Sequence, residues 1–228
     1  MKIGIIVAME SEKNMIASIL EHKHEREEHK QTFIEGTLGA HQVVLLQSGI
    51  GKVSAAVGAT ELINQYKPDY IINSGVAGSL NKEVGVMDIV VAERTVYHDV
   101  DCFSDNELGQ IQGFPTYFTA DQRLLQSARQ IASAHKTHFG LTCTGDQFIS
   151  RYDDLKKIID NFPQGLAVDM ESNAIAQVCY MYDTPFVSLR IVSDTPGIND
   201  HEQSYLNFWE EAPKTSFNAV RQLLENIK

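Results

Sequence analysis

Six apolar runs recur along the chain, at Ile3–Ala8, Val43–Gln47, Tyr70–Asn73, Ile89–Ala92, Gly140–Cys143 and Phe186–Val192. Most are too continuously apolar for a sheet with one wet face, so they read as strands covered on both sides. Between them lie helical patterns in which Val53, Ala56, Val57, Thr60 and Ile63 share one face, as do Met170, Ala174, Val178 and Met181, and then Phe217, Val220, Leu224 and Ile227. Buried strands alternating with amphipathic helices predict an α/β fold: a single-domain three-layer sandwich with a central mixed sheet flanked by helices. With 228 residues and 43% hydrophobic content, one domain over residues 1–228 with one sizeable core is expected. The charge-dense stretch Glu21–Lys30 reads as a solvated helix end, and Val100–Phe118, which has no clean period and holds Gly109, Gly113 and Pro115, as a long loop.

The formal charge of −11 and the lack of any basic stripe argue against nucleic acid or an anionic membrane as partner. Cys102, Cys143 and Cys179 are odd in number and widely spaced, which suits a reducing compartment. The first apolar run, followed at once by Glu10 and Glu12, is too short for a secretory signal, so a cytoplasmic location is expected. No HExxH-like pair predicts a metal site, and neither a GxSxG elbow nor a cysteine signature supports covalent catalysis; no cofactor is expected.

Ligands of such sheets bind beyond the carboxyl ends of the strands. After the first run comes Met9-Glu10-Ser11-Glu12, opening a helix; acids there complement the helix dipole or serve a site. After the second comes Ser48-Gly49-Ile50-Gly51-Lys52-Val53, which fits neither a dinucleotide fingerprint nor a P-loop but implies close approach to the backbone. After the third comes Asn73-Ser74-Gly75-Val76-Ala77-Gly78-Ser79, read as a second glycine-rich turn that would help floor a pocket. Arg190, inside the last run, demands an acidic partner, because a buried guanidinium is costly unless satisfied. Asp169 reads as an N-cap, and Glu171 as a first-turn residue whose ionised form the helix dipole favours. Ser193-Asp194, directly after the Arg190 run, puts a carboxylate at a strand end beside that pocket.

These segments, with Tyr97-His98-Asp99 and Thr144-Gly145-Asp146-Gln147-Phe148-Ile149, resemble in order and register the bacterial 5′-methylthioadenosine/S-adenosylhomocysteine nucleosidases over nearly the whole chain. The resemblance implies a nucleoside phosphorylase-like fold and hydrolysis of the bond between adenine and a 5′-thioribose, with 5′-deoxyadenosine as a further substrate. It makes Asp194 the general acid at adenine N7 and Glu12 the base that activates water. It gives Glu171 the ribose hydroxyls, Met170 the sugar, Phe148 the adenine face and the backbone of Ile149 the adenine edge. Met9, Ile50 and Tyr205 become sugar and 5′-side contacts, Val76 and Ser193 further substrate-side positions, and Arg190 a support for the acids and the water. Two separated acids suit this chemistry, since the leaving base needs a proton while water attacking an oxocarbenium-like carbon needs a carboxylate; Asp194 would have to hold its proton at working pH.

The resemblance also implies a homodimer in which a loop near residues 100–115 of the neighbouring subunit covers the 5′ substituent. Three positions depart from the family pattern: Asp169 stands where glutamate is usual, Val76 where serine is common, and the 100–112 loop is short, keeping only Phe103 and Gly109-Gln110 of an aromatic pattern. A nucleosidase for another 5′-substituted adenosine, such as aminofutalosine, remains a rival. A purine nucleoside phosphorylase needs a cationic phosphate clamp that Glu10, Glu12 and the Val76–Ser79 segment do not supply. A non-enzymatic nucleoside-binding protein is disfavoured by the retention of Glu12, Glu171 and Asp194 together.

Overall fold

The computed structural model describes residues 1–103, 105–131, 136–195, 208 and 213–227. Strands β1 (Lys2–Val7), β4 (His41–Gln47), β5 (Tyr70–Ser79), β6 (Ile89–Tyr97), β8 (Thr137–Thr144) and β10 (Phe186–Asp194) contain the six predicted runs, except that Ala8 falls just beyond β1. Four more join them: β2 (Glu21–Glu28), β3 (Gln31–Leu38), β7 (Phe118–Thr119) and β9 (Gly165–Asp169). The helices are α1 (Glu10–Ala17), α2 (Lys52–Tyr66), α3 (Gln122–Ile131), α4 (Tyr152–Asn161), α5 (Ser172–Met181) and α6 (Pro213–Asn226). No helix among the described residues is long and apolar enough to cross a membrane.

One mixed sheet runs β10-β6-β8-β9-β5-β1-β4-β3-β2, with β7 on β6, and β10 also pairs with β5. That extra pairing closes β10, β6, β8, β9 and β5 into a ring, from which β1 to β4 extend as a flap ending at β2. Alternation along β1 sends Ile3, Ile5 and Val7 to one face, against Ile16 of α1, Leu124 and Ala128 of α3 and Leu223 and Leu224 of α6. Ile6 faces the other way, with Ala55, Ala59 and Leu62 of α2 and Ile175 and Cys179 of α5. Helices thus cover both faces, as the apolar pattern requires.

Three expectations are corrected. Glu21–Lys30 is the edge strand β2 and its turn, paired antiparallel to β3; its charged side chains suit an edge that must stay wet on both faces. The buried face of α2 is Ala55, Gly58, Ala59, Leu62 and Ile63, whereas Val53 and Val57 point outward, 75% and 44% exposed. Small residues win the inner face because α2 lies tight on β4: a Cβ on Gly58 would meet Leu46 at 2.8 Å. Finally, Asn73–Ser79 is not a turn but the second half of β5.

That last correction locates the site. Along one flank β5 pairs with β10 from Ile71 to Gly78. Along the other it pairs with β1 only through Asn73 and with β9 only from Gly78, so Ser74–Ala77 have no strand neighbour there. Where a strand changes neighbours, backbone groups are left for other partners and a crevice opens.

Candidate active site

The crevice is a cleft lined by Ala8, Met9 and Glu12 after β1, Ile50 after β4, Val76–Gly78 of β5, and Gln147–Ile149 after β8. Val168–Glu171 at the end of β9, with Arg190, Ser193 and Asp194 of β10, complete it. Its space, counted out through the open mouth into solvent, is about 630 Å³. Of the twelve residues singled out in the sequence, eleven line this cleft; Tyr205 lies outside the described residues. Ala77, Gly78 and Gln147 were named only within motifs, with no role of their own, and Val168 carries none either; like Ala8, they reach the cleft through the path of the sheet.

Glu12 is the third residue of α1, and its side chain turns back on the helix start. Its Oε2 accepts from the N–H groups of Ala8 (3.0 Å) and Met9 (2.9 Å), and its Oε1 from that of Val76 (3.1 Å), one of the β5 groups freed by the change of neighbour. The carboxyl is buried, which raises its pKa; Arg190 and these three N–H groups oppose the rise without cancelling it.

Arg190, 1% exposed, finds the acids that its burial demands. Its Nε lies 2.9 Å from Asp169 Oδ2, while Nη2 donates to Asn73 Oδ1 (2.7 Å) and Glu171 Oε2 (3.4 Å). Asp169 also accepts from the N–H groups of Glu171 and Ser172 (both 3.3 Å) and from Thr144 Oγ1 (2.6 Å). The N-cap of α5 is Glu171 and not Asp169 as expected; Asp169, the last residue of β9, serves the start of the helix from two residues ahead of the cap while pairing with Arg190 as well.

Gly75 is obligatory at this crossing. A Cβ there would overlap the Arg190 guanidinium and lie 2.7 Å from Glu12 Oε1. We expect Gly75→Ala to displace both groups, lowering turnover roughly 10²-fold while the protein still folds; a rate within threefold of the parent, by steady-state assay, contradicts this geometry.

Glu171 departs from expectation. It occupies the N-cap of α5, and Oε1 accepts from Gly51 N (2.9 Å), but its carboxyl pKa is pushed up to about 7. Burial is the largest cause; Arg190 opposes it and the neighbouring Asp169 adds to it, so desolvation outweighs the helix dipole. The sign of the pH effect follows. A carboxyl whose folded pKa is raised favours the fold fully below its ordinary value of 4.5, and that contribution is lost as pH climbs through about 7. The neutral isostere Glu171→Gln should therefore gain Tm on the parent between about pH 5 and about pH 8. Thermal melts with a constant difference across that window would refute this.

Asp194 is the last residue of β10, opposite Gly78, just past a bulge at Ser193. Bulges re-aim side chains, and this one brings Ser193 Oγ to Asp194 Oδ1 (2.6 Å) and to Ala77 O (3.3 Å). Asp194 is buried, at 3% exposure. At the mouth stand Phe148 and Ile50, 52% and 57% exposed, and half-buried Met170.

Residues 2–225 match the phosphorylase superfamily. The 5′-methylthioadenosine/S-adenosylhomocysteine nucleosidase of Haemophilus influenzae strain PittEE is 39% identical over 230 residues, covering all of both chains. The chain belongs to the 5′-methylthioadenosine/S-adenosylhomocysteine nucleosidase family. Among solved structures of this family, the Streptococcus pyogenes S-adenosylhomocysteine nucleosidase in complex with 5-methylthiotubericidin superposes with a TM-score of 0.94 at 35% identity, covering 100% of this chain and 98% of the other. The Colwellia psychrerythraea nucleosidase in complex with adenine gives 0.94 at 37% identity, with coverages of 100% and 96%. The α/β architecture read from the sequence is that of these nucleosidases.

Proposed function

We propose that the cleft hydrolyses the N-glycosidic bond of 5′-methylthioadenosine and S-adenosylhomocysteine, releasing adenine and the 5′-thioribose. The observation that carries this reading is the convergence of three buried carboxyl groups with different surroundings, Glu12, Glu171 and Asp194, in one cleft that has an aromatic ring at its mouth. The S. pyogenes and C. psychrerythraea relatives, held with 5-methylthiotubericidin and with adenine, support the substrate class.

In this reading Asp194 protonates adenine at N7 as the glycosidic bond breaks, so the base leaves neutral. Glu12 takes a proton from water as its oxygen attacks the sugar carbon, and a carboxyl pKa raised by burial suits that base. Glu171 accepts from the ribose hydroxyls and sets negative charge near the developing cation. Met170 packs on the sugar, Phe148 stacks on adenine and the Ile149 backbone reads its edge. Met9, Ile50 and Tyr205 meet the sugar and the 5′ group. Arg190 holds Glu171 in place and lowers the repulsion among the acids.

Phosphorolysis is disfavoured because Arg190, the cation lining the cleft among the described residues, is already engaged by Asp169 and Glu171. Incubation with 5′-methylthioadenosine, with and without phosphate, tests the reading by chromatography. Adenine and free methylthioribose in both buffers are expected; adenine only with phosphate, together with a sugar 1-phosphate, would make the enzyme a phosphorylase instead.

The same proposal includes a cytoplasmic homodimer in which the loop near residues 100–115 of a partner covers the 5′ side. Three free cysteines fit the compartment. Outward Val53, the exposed Ile50 and the 84% exposed Phe103 supply apolar surface for such an interface.

A further inference from the structure

We propose that Asp146 is a positioning residue that ties the adenine-side loop to the ribose-side carboxylate through the N-terminus of α2. This rests on the nucleosidase reading for what the loop binds, not for the geometry. The N-cap of α2 is Gly51, which has no side chain to satisfy the first N–H groups of the helix. Two distant carboxylates do so. Glu171 Oε1 accepts from Gly51 N (2.9 Å), and Asp146 Oδ1, 94 residues along the chain, accepts from Lys52 N (2.7 Å).

Adjacent peptide groups on one rigid helix thus hold the ribose-side acid and the residue two positions before Phe148. A second set of contacts fixes Asp146 from below. Its own N–H donates to Asp99 Oδ2 (2.9 Å), which also takes Lys52 Nζ (2.7 Å), and that ammonium lies 3.8 Å from Asp146 Oδ2. Lys52 therefore sits between two carboxylates that would otherwise repel. The base of the loop has no slack: Gly145 donates to Asp169 O (3.1 Å), and a Cβ on it would overlap the His98 ring and lie 3.0 Å from Asp99 Cγ. Glu171, Asp169, Asp99 and Lys52 are thereby linked to one short segment that presents Gln147, Phe148 and Ile149 to the cleft.

Such a clasp acts on the adenine site equally in the ground state and the transition state, so its loss should appear in binding rather than in the chemical step. In Asp146→Ala we expect KM for 5′-methylthioadenosine and the calorimetric Kd for free adenine to rise together, by about tenfold, with kcat within about threefold of the parent. Asp146→Asn keeps an oxygen for Lys52 N but loses the attraction of its ammonium, and should recover part of the loss. Lys52→Met keeps the helix N–H, removes the cation and should weaken adenine binding in the same direction; it serves if Asp146→Ala does not fold.

A lowered Tm with adenine affinity and KM unchanged within twofold would make Asp146 merely structural and overturn the proposal. So would a fall in kcat at constant KM. A parent protein that binds adenine but hydrolyses no nucleoside would sink the nucleosidase reading alone, and the adenine affinities would still decide the role of Asp146.

Discussion

Asp194→Asn is expected to lower kcat for 5′-methylthioadenosine by about 10²–10⁴-fold while nucleoside binding stays measurable. The amide is isosteric and still presents Oδ1 to the Ser193 hydroxyl, so the bulge at the end of β10 keeps its shape. What it cannot do is deliver the proton that the proposed reaction requires at N7. Adenine would then have to leave as an anion, and the barrier rises by the whole difference between the two leaving groups. Stopped and continuous assays of adenine release, with calorimetry of a non-hydrolysable nucleoside, separate the two effects. A variant that turns over at the parental rate removes Asp194 from the reaction, and one that neither binds nor folds reassigns it to the frame of the cleft.

Arg190→Met should be the most destabilising single change in the cleft, by roughly 3–5 kcal/mol. Methionine approximates the stem of the side chain but leaves Asp169, Glu171 and Glu12 buried together with no counter-charge. Each would then have to be protonated or drag water inward. Denaturant unfolding at neutral pH measures the loss, which should shrink as the pH is lowered and the acids become neutral. Arg190→Lys should be only a partial remedy, since one ammonium cannot serve Asp169 through Nε and both Asn73 and Glu171 through Nη2. A Met variant within 1 kcal/mol of the parent, an order-of-magnitude threshold, would show that the three acids do not depend on this cation.

How much of this could be read beforehand varied with the range of the interaction. The six apolar runs were legible because burial on both faces leaves a mark on consecutive residues. The hairpin of β2 and β3 was not, since Glu21–Glu28 carries charge on both faces and owes its strand state to the ladder with Gln31–Leu38. The demand of Arg190 for acidic partners followed from its place in an apolar run, but not the identity of Asn73 as a third partner, which depends on β5 lying beside β10. Glu171 shows a competition the sequence could not decide: its position at a helix start was visible and its burial was not, and burial prevailed. The clasp of Asp146 on α2 was invisible for the same reason, joining residues 94 apart.

The closed ring of β5, β6, β8, β9 and β10 bears on how copies of this chain behave when crowded. In the ring the Ser74–Ala77 flank of β5, which opens into the cleft, lacks a strand neighbour, and among the described residues the long unpaired outer border is that of β2. Its sequence, Glu-His-Lys-His-Glu-Arg-Glu-Glu, offers a neighbouring chain little apolar surface to cover and places charges where cross-strand contacts would form. The apolar strands that build the cleft are kept inside the sheet, and among the described residues the long border open to strand-by-strand aggregation is a charged one.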